Sequence, residues 1–136
     1  MGLSIYWAGQ NTEELDAFLT LEDALLGAKP DLQTREVYAL LASLGLPKEP
    51  SRTIQSLSGG QRTRLSLARL SVTSAHLLVL DEPTNNLDLD AILALEKLLL
   101  DYPGTVLFAS HDRRLIENVS TRRLELRDGR VRELED

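Results

Sequence analysis

The sequence contains no cysteine and no long apolar run. Without cysteine the chain forms neither a disulfide nor a thiolate metal site, which fits a reducing compartment. No apolar segment approaches the roughly 20 residues that a membrane-spanning helix needs. Met1 is not followed by the basic and apolar segments of a signal peptide. We therefore expect a cytoplasmic protein with no direct membrane insertion.

Positive charge is also scarce. Fifteen Lys and Arg against 21 Asp and Glu give a net charge of −6 at pH 7, which argues weakly against sequence-independent binding of nucleic acid. Arginines nevertheless cluster late in the chain, with acids interleaved, at Arg113, Arg114, Arg122, Arg123, Arg127, Arg130 and Arg132. We interpret this cluster as a solvated face with ion pairs, and a binding patch is the alternative.

The hydrophobic pattern predicts three strands, at residues 3–8, 76–81 and 105–110. The second and third are continuous apolar runs, which is typical of parallel strands that are buried on both faces. Residues 122–134 predict a hairpin, because two alternating runs flank Asp128-Gly129, a pair that suits a type I′ turn.

Helices fill the intervals between these strands. The 3.6-residue periodicity and the capping residues predict them at 20–28, 32–45, 58–73, 88–104 and about 112–119. Thr20, Ser58, Asp88 and Asp112 are the predicted N-caps. A proline-rich loop is predicted at 46–56. The order indicates an α/β fold with a mainly parallel sheet, a helical insert and a C-terminal β-hairpin.

Carboxylates follow the strand 76–81, at Asp81 and Glu82. The carboxyl ends of parallel strands are where α/β folds place ligand chemistry. Asp81 can hold Mg²⁺ together with a substrate phosphate, and Glu82 can orient or deprotonate an attacking water. His111 follows the strand 105–110 and can reach a phosphoryl group. Taken singly, each of these residues also fits an ordinary strand end or turn.

Residues 57–61, "LSGGQ", begin the predicted helix 58–73 with two glycines, which disfavour helix. The backbone N–H groups of a helix start bind anions, aided by the helix dipole. Gly59 and Gly60 would let a phosphate approach closely, and the Ser58 hydroxyl adds a donor. The alternative is that Ser58 only caps the helix and the glycines mark a turn.

Taken together, "LSGGQ", "HLLVLDEPTNNLD" and "SHD", in that order and spacing, resemble the ATP-binding cassette (ABC) ATPases. The resemblance makes "LSGGQ" the ABC signature, "LVLDE" the Walker B strand, "NNLD" the D-loop with Asp88, and His111 the switch histidine. "YWAGQ" resembles the Q-loop, which puts Gln10 near Mg²⁺ and the attacking water. The resemblance covers nearly the whole chain and implies a P-loop NTPase fold with ATP and Mg²⁺ as cofactors.

"LDEPTNNLD" and residues 104–131 resemble the ABC-F group, soluble twin-cassette ATPases of which many act on the ribosome and some protect it from antibiotics. Two places depart from that group, which usually carries His where Asn86 stands and an aromatic pair where Arg114 and Leu115 stand. The alternatives are the ATP-binding subunit of an ABC transporter, the C-terminal lobe of a split chromosome-maintenance or DNA-repair ATPase, and a non-enzymatic binding module. A split ATPase has a long coiled coil between its lobes, and this sequence shows no sustained heptad pattern that would indicate one.

The sequence lacks the P-loop, G-x-x-x-x-G-K-[ST], because none of its eight glycines is followed by lysine. We therefore interpret the chain as a partial ABC fold, the C-terminal part of one cassette. Residues 1–10 form the Q-loop strand, 11–75 the helical subdomain with the signature, and 76–136 the core from Walker B to the hairpin.

The resemblance also divides the site residues between two nucleotides. It implies that Ser58, Gly59, Gly60 and Gln61 act in trans, on the nucleotide of a second ABC cassette. It implies that Asp81, Glu82, His111 and Gln10 act in cis.

For the chain alone we expect neither tight ATP binding nor hydrolysis, because the backbone nest and the lysine that hold the β- and γ-phosphates are missing. We also expect self-association or a domain-swapped dimer. The resemblance puts the P-loop strand beside the strand 105–110, so the apolar edge of that strand is left open.

Overall fold

The computed structural model of the chain describes residues 2–8 and 12–135. Gln10, the predicted Q-loop glutamine, lies outside the described residues. The elements in chain order are β1 (Ile5–Ala8), a 3₁₀ helix (Glu13–Ala17), α1 (Leu21–Ala28), α2 (Thr34–Ser43), a second 3₁₀ helix (Ile54–Ser56), α3 (Gly59–Val72), β2 (Leu77–Asp81), α4 (Leu89–Asp101), β3 (Thr105–Ala109), α5 (Arg113–Val119), β4 (Arg123–Arg127) and β5 (Arg130–Leu134).

The first three strands form one parallel sheet in the order β1-β2-β3. Val79 in the middle strand is the register partner of both Trp7 and Leu107. The last two strands form a separate antiparallel hairpin. Its turn residues Asp128 and Gly129 have φ values of 53° and 72°, as a type I′ turn requires. The predicted α/β class, with a mainly parallel sheet and a hairpin, is confirmed.

Side-chain caps begin the helices where the sequence predicts them. The hydroxyl of Thr20 accepts from Asp23 N at 3.2 Å, and the Asp23 carboxylate accepts from Thr20 N at the same distance. Asp88 accepts from Ala91 N at 2.8 Å, and Asp112 from Leu115 N at 3.2 Å. Each cap satisfies an N–H group that has no partner inside its own helix.

Three expectations from the sequence are wrong in detail. β3 is not buried on both faces, because Leu107 is 50% exposed. It lies at an edge of the three-stranded sheet, and helices cover only its Val106 and Phe108 face. The helix predicted to reach residue 104 ends at Asp101. The loop predicted at 46–56 contains a 3₁₀ helix at Ile54–Ser56.

Helix α3 joins two hydrophobic clusters. Leu65 and Ala68 pack into the cluster formed by α1, α2 and the 3₁₀ helices, whereas Leu67 and Leu70 pack into the cluster beneath the parallel sheet. One helix therefore fixes the helical region against the sheet. Among the residues described, no helix has the length and apolar character needed to cross a membrane.

Arg69 of α3 lies buried at this junction. Its Nε donates to Ala24 O at 3.0 Å, and its guanidinium carbon is 5.3 Å from the Tyr6 ring centroid and 4.7 Å from that of Phe18. Burial raises the pKa of the Tyr6 phenol above its ordinary value; the charge of Arg69 opposes this rise and that of Glu14 adds to it. Stacking between two rings is an arrangement suited to the planar guanidinium.

Candidate functional site

Glu82 and His111 meet at the carboxyl edge of the sheet. Glu82 follows β2, and its backbone N–H donates to Ala109 O at 2.8 Å. Its φ of 47° is uncommon for a residue with a side chain and stores strain of the kind that clusters at functional sites. One carboxylate oxygen accepts from His111 N at 3.3 Å, and the other contacts His111 Nδ1. Glu82 is nearly buried, at 14% side-chain exposure, whereas the imidazole is 98% exposed.

The "LSGGQ" residues form the first turn of α3. Ser58 Oγ accepts from Gln61 N at 3.2 Å, and Gln61 Oε1 accepts from Ser58 N at 2.9 Å. This capping box leaves the Ser58 hydroxyl proton free to donate. A Cβ added at Gly59 or at Gly60 would meet no atom within 4 Å. The packing of this chain therefore gives no reason for glycine at either position.

Asp81 and Asp88 lie on either side of the turn that follows β2. Asp81 is the last residue of β2 and is half-buried. Asp88 caps α4, and its carboxylate is 4.0 Å from the Arg64 guanidinium. Among the residues that the structure describes, no group of three His, Cys, Asp or Glu side chains is placed to hold a metal. A single carboxylate still fits Mg²⁺, which commonly takes one or two carboxylates plus phosphate oxygens.

The sequence profile of the ABC transporter family matches residues 2–85, which is more than half of the chain. The chain belongs to the ABC family. The resemblance to the ABC ATPases is thereby confirmed at the level of the family, and the matched residues include "LSGGQ" and "LVLDE". Membership of the ABC ATPases generally implies binding of ATP and Mg²⁺.

Relatives of this ABC chain include ABC-F proteins. The erythromycin resistance ATP-binding protein MsrA of Staphylococcus epidermidis is 50% identical over 88 residues, which are 65% of this chain and 18% of MsrA. ABC transporter F family member 5 of Arabidopsis thaliana is 35% identical over 125 residues, 91% of this chain and 18% of that protein. The chain thus spans about a fifth of the length of the curated relatives it matches.

A solved structure of a putative metal-chelate type ABC transporter shares the fold, with a TM-score of 0.67 and 24% sequence identity over 99% of this chain and 59% of that one. An RNase-L inhibitor superposes with a TM-score of 0.66 and 25% sequence identity, over 94% of this chain and 27% of that one. The two-part architecture of this chain, a parallel sheet with a helical region on α3, is therefore that of an ABC ATPase domain.

The signature glycines and Glu82 of this ABC chain line one open cleft of about 480 Å³. Asn85 and Asn86 of the D-loop also line it. Asn86 has a φ of 64°, a value that asparagine adopts more readily than most residues. The structure thus brings Gly59, Gly60 and Glu82 around one space, although the resemblance assigns them to different nucleotides.

Arg62, directly after the signature, is a residue that the sequence did not single out. Its guanidinium donates to Thr12 Oγ1 and to Thr12 O at 3.1 Å each, and to Asp16 Oδ1 at 2.8 Å. One turn later, Ser66 donates to Glu14 Oε1 at 3.1 Å. These contacts attach the signature end of α3 to the segment that follows residues 9–11. No local pattern could have found them, because the partners lie about fifty residues apart.

Proposed function

We propose that this chain is part of an ABC-F type ATPase that acts in translation or antibiotic resistance. In that protein its signature turn would bind the γ-phosphate of ATP held by a second cassette. The likeness to MsrA and to an F family member supports the subfamily. The backbone exposed at Gly59 and Gly60, at the start of α3, supports the phosphate-binding role.

The observation that carries the proposal is the open space at Gly59 and Gly60. Neither glycine needs its missing side chain for packing, and neither has a positive φ. Together they expose backbone N–H groups at the start of a 14-residue helix, where the helix dipole favours an anion. Ser58 adds a hydroxyl donor beside them. Such a surface is complementary to a phosphate delivered by another molecule.

The carboxyl edge of the sheet would serve the second nucleotide. Asp81 would hold Mg²⁺ together with phosphate oxygens, and Gln10 would lie near the same ion. The ion would neutralise phosphate charge. Glu82, kept in place by contacts with both the backbone and the ring of His111, would orient the attacking water and accept its proton. His111 is exposed enough to meet a phosphoryl oxygen directly.

Replacing Gly60 with alanine in the full-length protein tests the signature role. We expect ATP turnover to fall about 10- to 100-fold, because the added methyl group would hold the phosphate away from the backbone N–H groups and weaken a charge-assisted hydrogen bond. The same change in the 136-residue chain should raise the free energy of unfolding by about 0.4–1 kcal/mol, because the added methyl group meets nothing and alanine favours helix. Steady-state ATPase assays and urea denaturation measure the two effects.

Gly104 supplies the matched control for this substitution. A Cβ there would lie 2.9 Å from His76 O and 3.0 Å from Ala75 O, and backbone atoms cannot move aside easily. Gly104→Ala should therefore destabilise the chain, by about 1–3 kcal/mol. Unchanged turnover in Gly60→Ala, with the fold intact, would contradict the proposed phosphate contact.

The chain alone is expected to self-associate through the parallel sheet. One face of the sheet leaves Ile5, Trp7 and Leu107 at least half exposed, and β3 is an edge strand with apolar residues. Uncovered faces and edges of parallel sheets favour pairing with another surface. Light scattering should give a mass above that of the monomer, and Leu107→Lys should lower it. A monomer over a wide concentration range would count against this expectation.

A further inference from the structure

The hairpin β4–β5 divides its side chains into two faces. The strand register pairs Glu125 with Arg132 and Arg127 with Arg130, and directly opposite residues share a face. The face that carries these pairs also carries Arg123, which is two and four residues from Glu125 and Arg127 on the same strand. We call this set of six positions the arginine face, and its members are Arg123, Glu125, Arg127, Arg130, Arg132 and Leu134.

Positive charge on the arginine face is only partly compensated. Glu125 accepts from Arg132 at 3.3 Å. Arg122 pairs with Glu133 at 2.7 Å, but Glu133 belongs to the opposite face of the hairpin. Its hydrogen bond and charge interaction with Arg122 hold the pKa of the Glu133 carboxyl below its ordinary value. Among the described residues, no carboxylate lies within 4.0 Å of the cationic groups of Arg127 and Arg130.

Arg127 and Arg130 are like charges placed directly opposite each other beside the turn. Such pairs disfavour hairpin formation, and an isolated two-stranded hairpin is already marginal. A bound anion would relieve the repulsion. Within the late arginine cluster, the expected ion pairs form at Arg114, Arg122 and Arg132, whereas Arg127 and Arg130 have no carboxylate within 4.0 Å among the described residues.

The overall negative charge does not oppose an anionic ligand here. Residues 113–136 carry seven basic and six acidic residues, whereas the first 112 carry eight basic and fifteen acidic ones. The acidic excess thus lies outside this segment. At physiological ionic strength charges are screened beyond about 8 Å, so the local balance governs contacts at the hairpin. All seven basic residues of the segment are arginines, whose planar fork suits phosphate oxygens.

We propose that the arginine face binds the phosphate backbone of a nucleic-acid duplex. The arginines of β4 and those of β5 form two adjacent rows of donors, and Arg130 and Arg132 lie about 7 Å apart along β5. The face carries no aromatic residue, so it lacks the stacking platform of single-strand binders. Contacts to phosphate oxygens carry no base information and are weakened by salt, so the proposed contact would be independent of base sequence and dependent on salt. This proposal is independent of the proposed ATPase role.

Fluorescence anisotropy of the 136-residue chain with labelled RNA and DNA duplexes of one sequence tests the proposal. Arg127→Gln/Arg130→Gln should weaken binding about tenfold at low salt. It should also make the slope of log K against log salt shallower by about 1.8, or 0.9 for each lost contact. Glu125→Gln removes the one carboxylate of the face and should tighten binding. Circular dichroism shows whether the hairpin variants keep the fold.

The double variant Arg35→Gln/Lys48→Gln removes the same charge from exposed positions outside the hairpin and should leave both affinity and slope nearly unchanged. An equal loss in this control would overturn the proposal, because net charge alone would then explain binding. Binding to phosphatidylserine vesicles without binding to either duplex would also overturn it, and so would binding to neither duplex at low salt.

Discussion

Leu78→Ala is expected to lower the free energy of unfolding by about 3–5 kcal/mol. Leu78 lies in the middle strand of the parallel sheet, is fully buried, and packs into the cluster formed with α4 and α5. Truncation removes its transfer free energy and leaves a cavity, because strands on both sides limit local collapse. Since small domains are stable by about 5–15 kcal/mol, the loss is a large fraction of the total. Urea denaturation followed by circular dichroism measures it.

Leu107→Ala is the matched control for this substitution. Leu107 lies on the neighbouring strand β3 but on the opposite, uncovered face of the sheet, where it is 50% exposed. Because Leu107 is only half-buried and its truncation leaves no closed cavity, we expect the free energy of unfolding to fall by about 1 kcal/mol. Measured on the monomer, equal losses for the two variants would contradict the one-sided core, because they would require both faces of the sheet to be covered within one chain.

Local features of the fold could be predicted from the sequence. The caps at Thr20, Ser58, Asp88 and Asp112 and the turn at Asp128-Gly129 depend on residues within three or four positions of each other. Interactions of that range leave a visible pattern in the sequence. The parallel sheet could also be inferred, because two continuous apolar runs alternate with helical segments.

Features that depend on distant partners could not be predicted. The apolar run of β3 indicated a fully buried strand, but its burial depends on which elements cover the sheet, and Leu107 faces outward. The Arg62 contacts join α3 to a 3₁₀ helix near residue 13, and no spacing rule links those positions. Two-sided burial is a property of the assembled fold, whereas hydrophobicity is a property of the segment.

The candidate site could be predicted only in part from the sequence. Glu82 and His111 both follow parallel strands, and the carboxyl ends of such strands share one edge of the sheet. The structure brings the two side chains into direct contact across 29 positions. The positive φ of Glu82 had no signal in the sequence, since it arises from a turn closed by Asn85 N donating to Glu82 O at 3.2 Å. The residue types predicted the chemistry of this site, but they did not predict the backbone conformation of Glu82.

Glu82→Gln in the full-length protein is expected to reduce ATP turnover about 10²- to 10⁴-fold, the range for loss of a general base. Glutamine keeps an oxygen that can accept from His111 N but cannot take a proton from water. ATP binding should therefore persist while kcat falls. The chain of 136 residues should show no turnover with either residue, because the sequence lacks the P-loop lysine. Steady-state kinetics and nucleotide-binding calorimetry separate the two effects.

Glu117→Gln provides the control, since Glu117 is an exposed acid of α5 and its loss should leave kcat unchanged.

The double variant Glu82→Gln/His111→Ala tests whether Glu82 and His111 act together. If they do, His111→Ala should lower kcat much less in the Glu82→Gln variant than in the unaltered protein, because the effects of the two substitutions are then non-additive. Full turnover in Glu82→Gln, with ATP still bound, would exclude Glu82 as the base. His111 would then have to bind the γ-phosphate without help from this carboxylate.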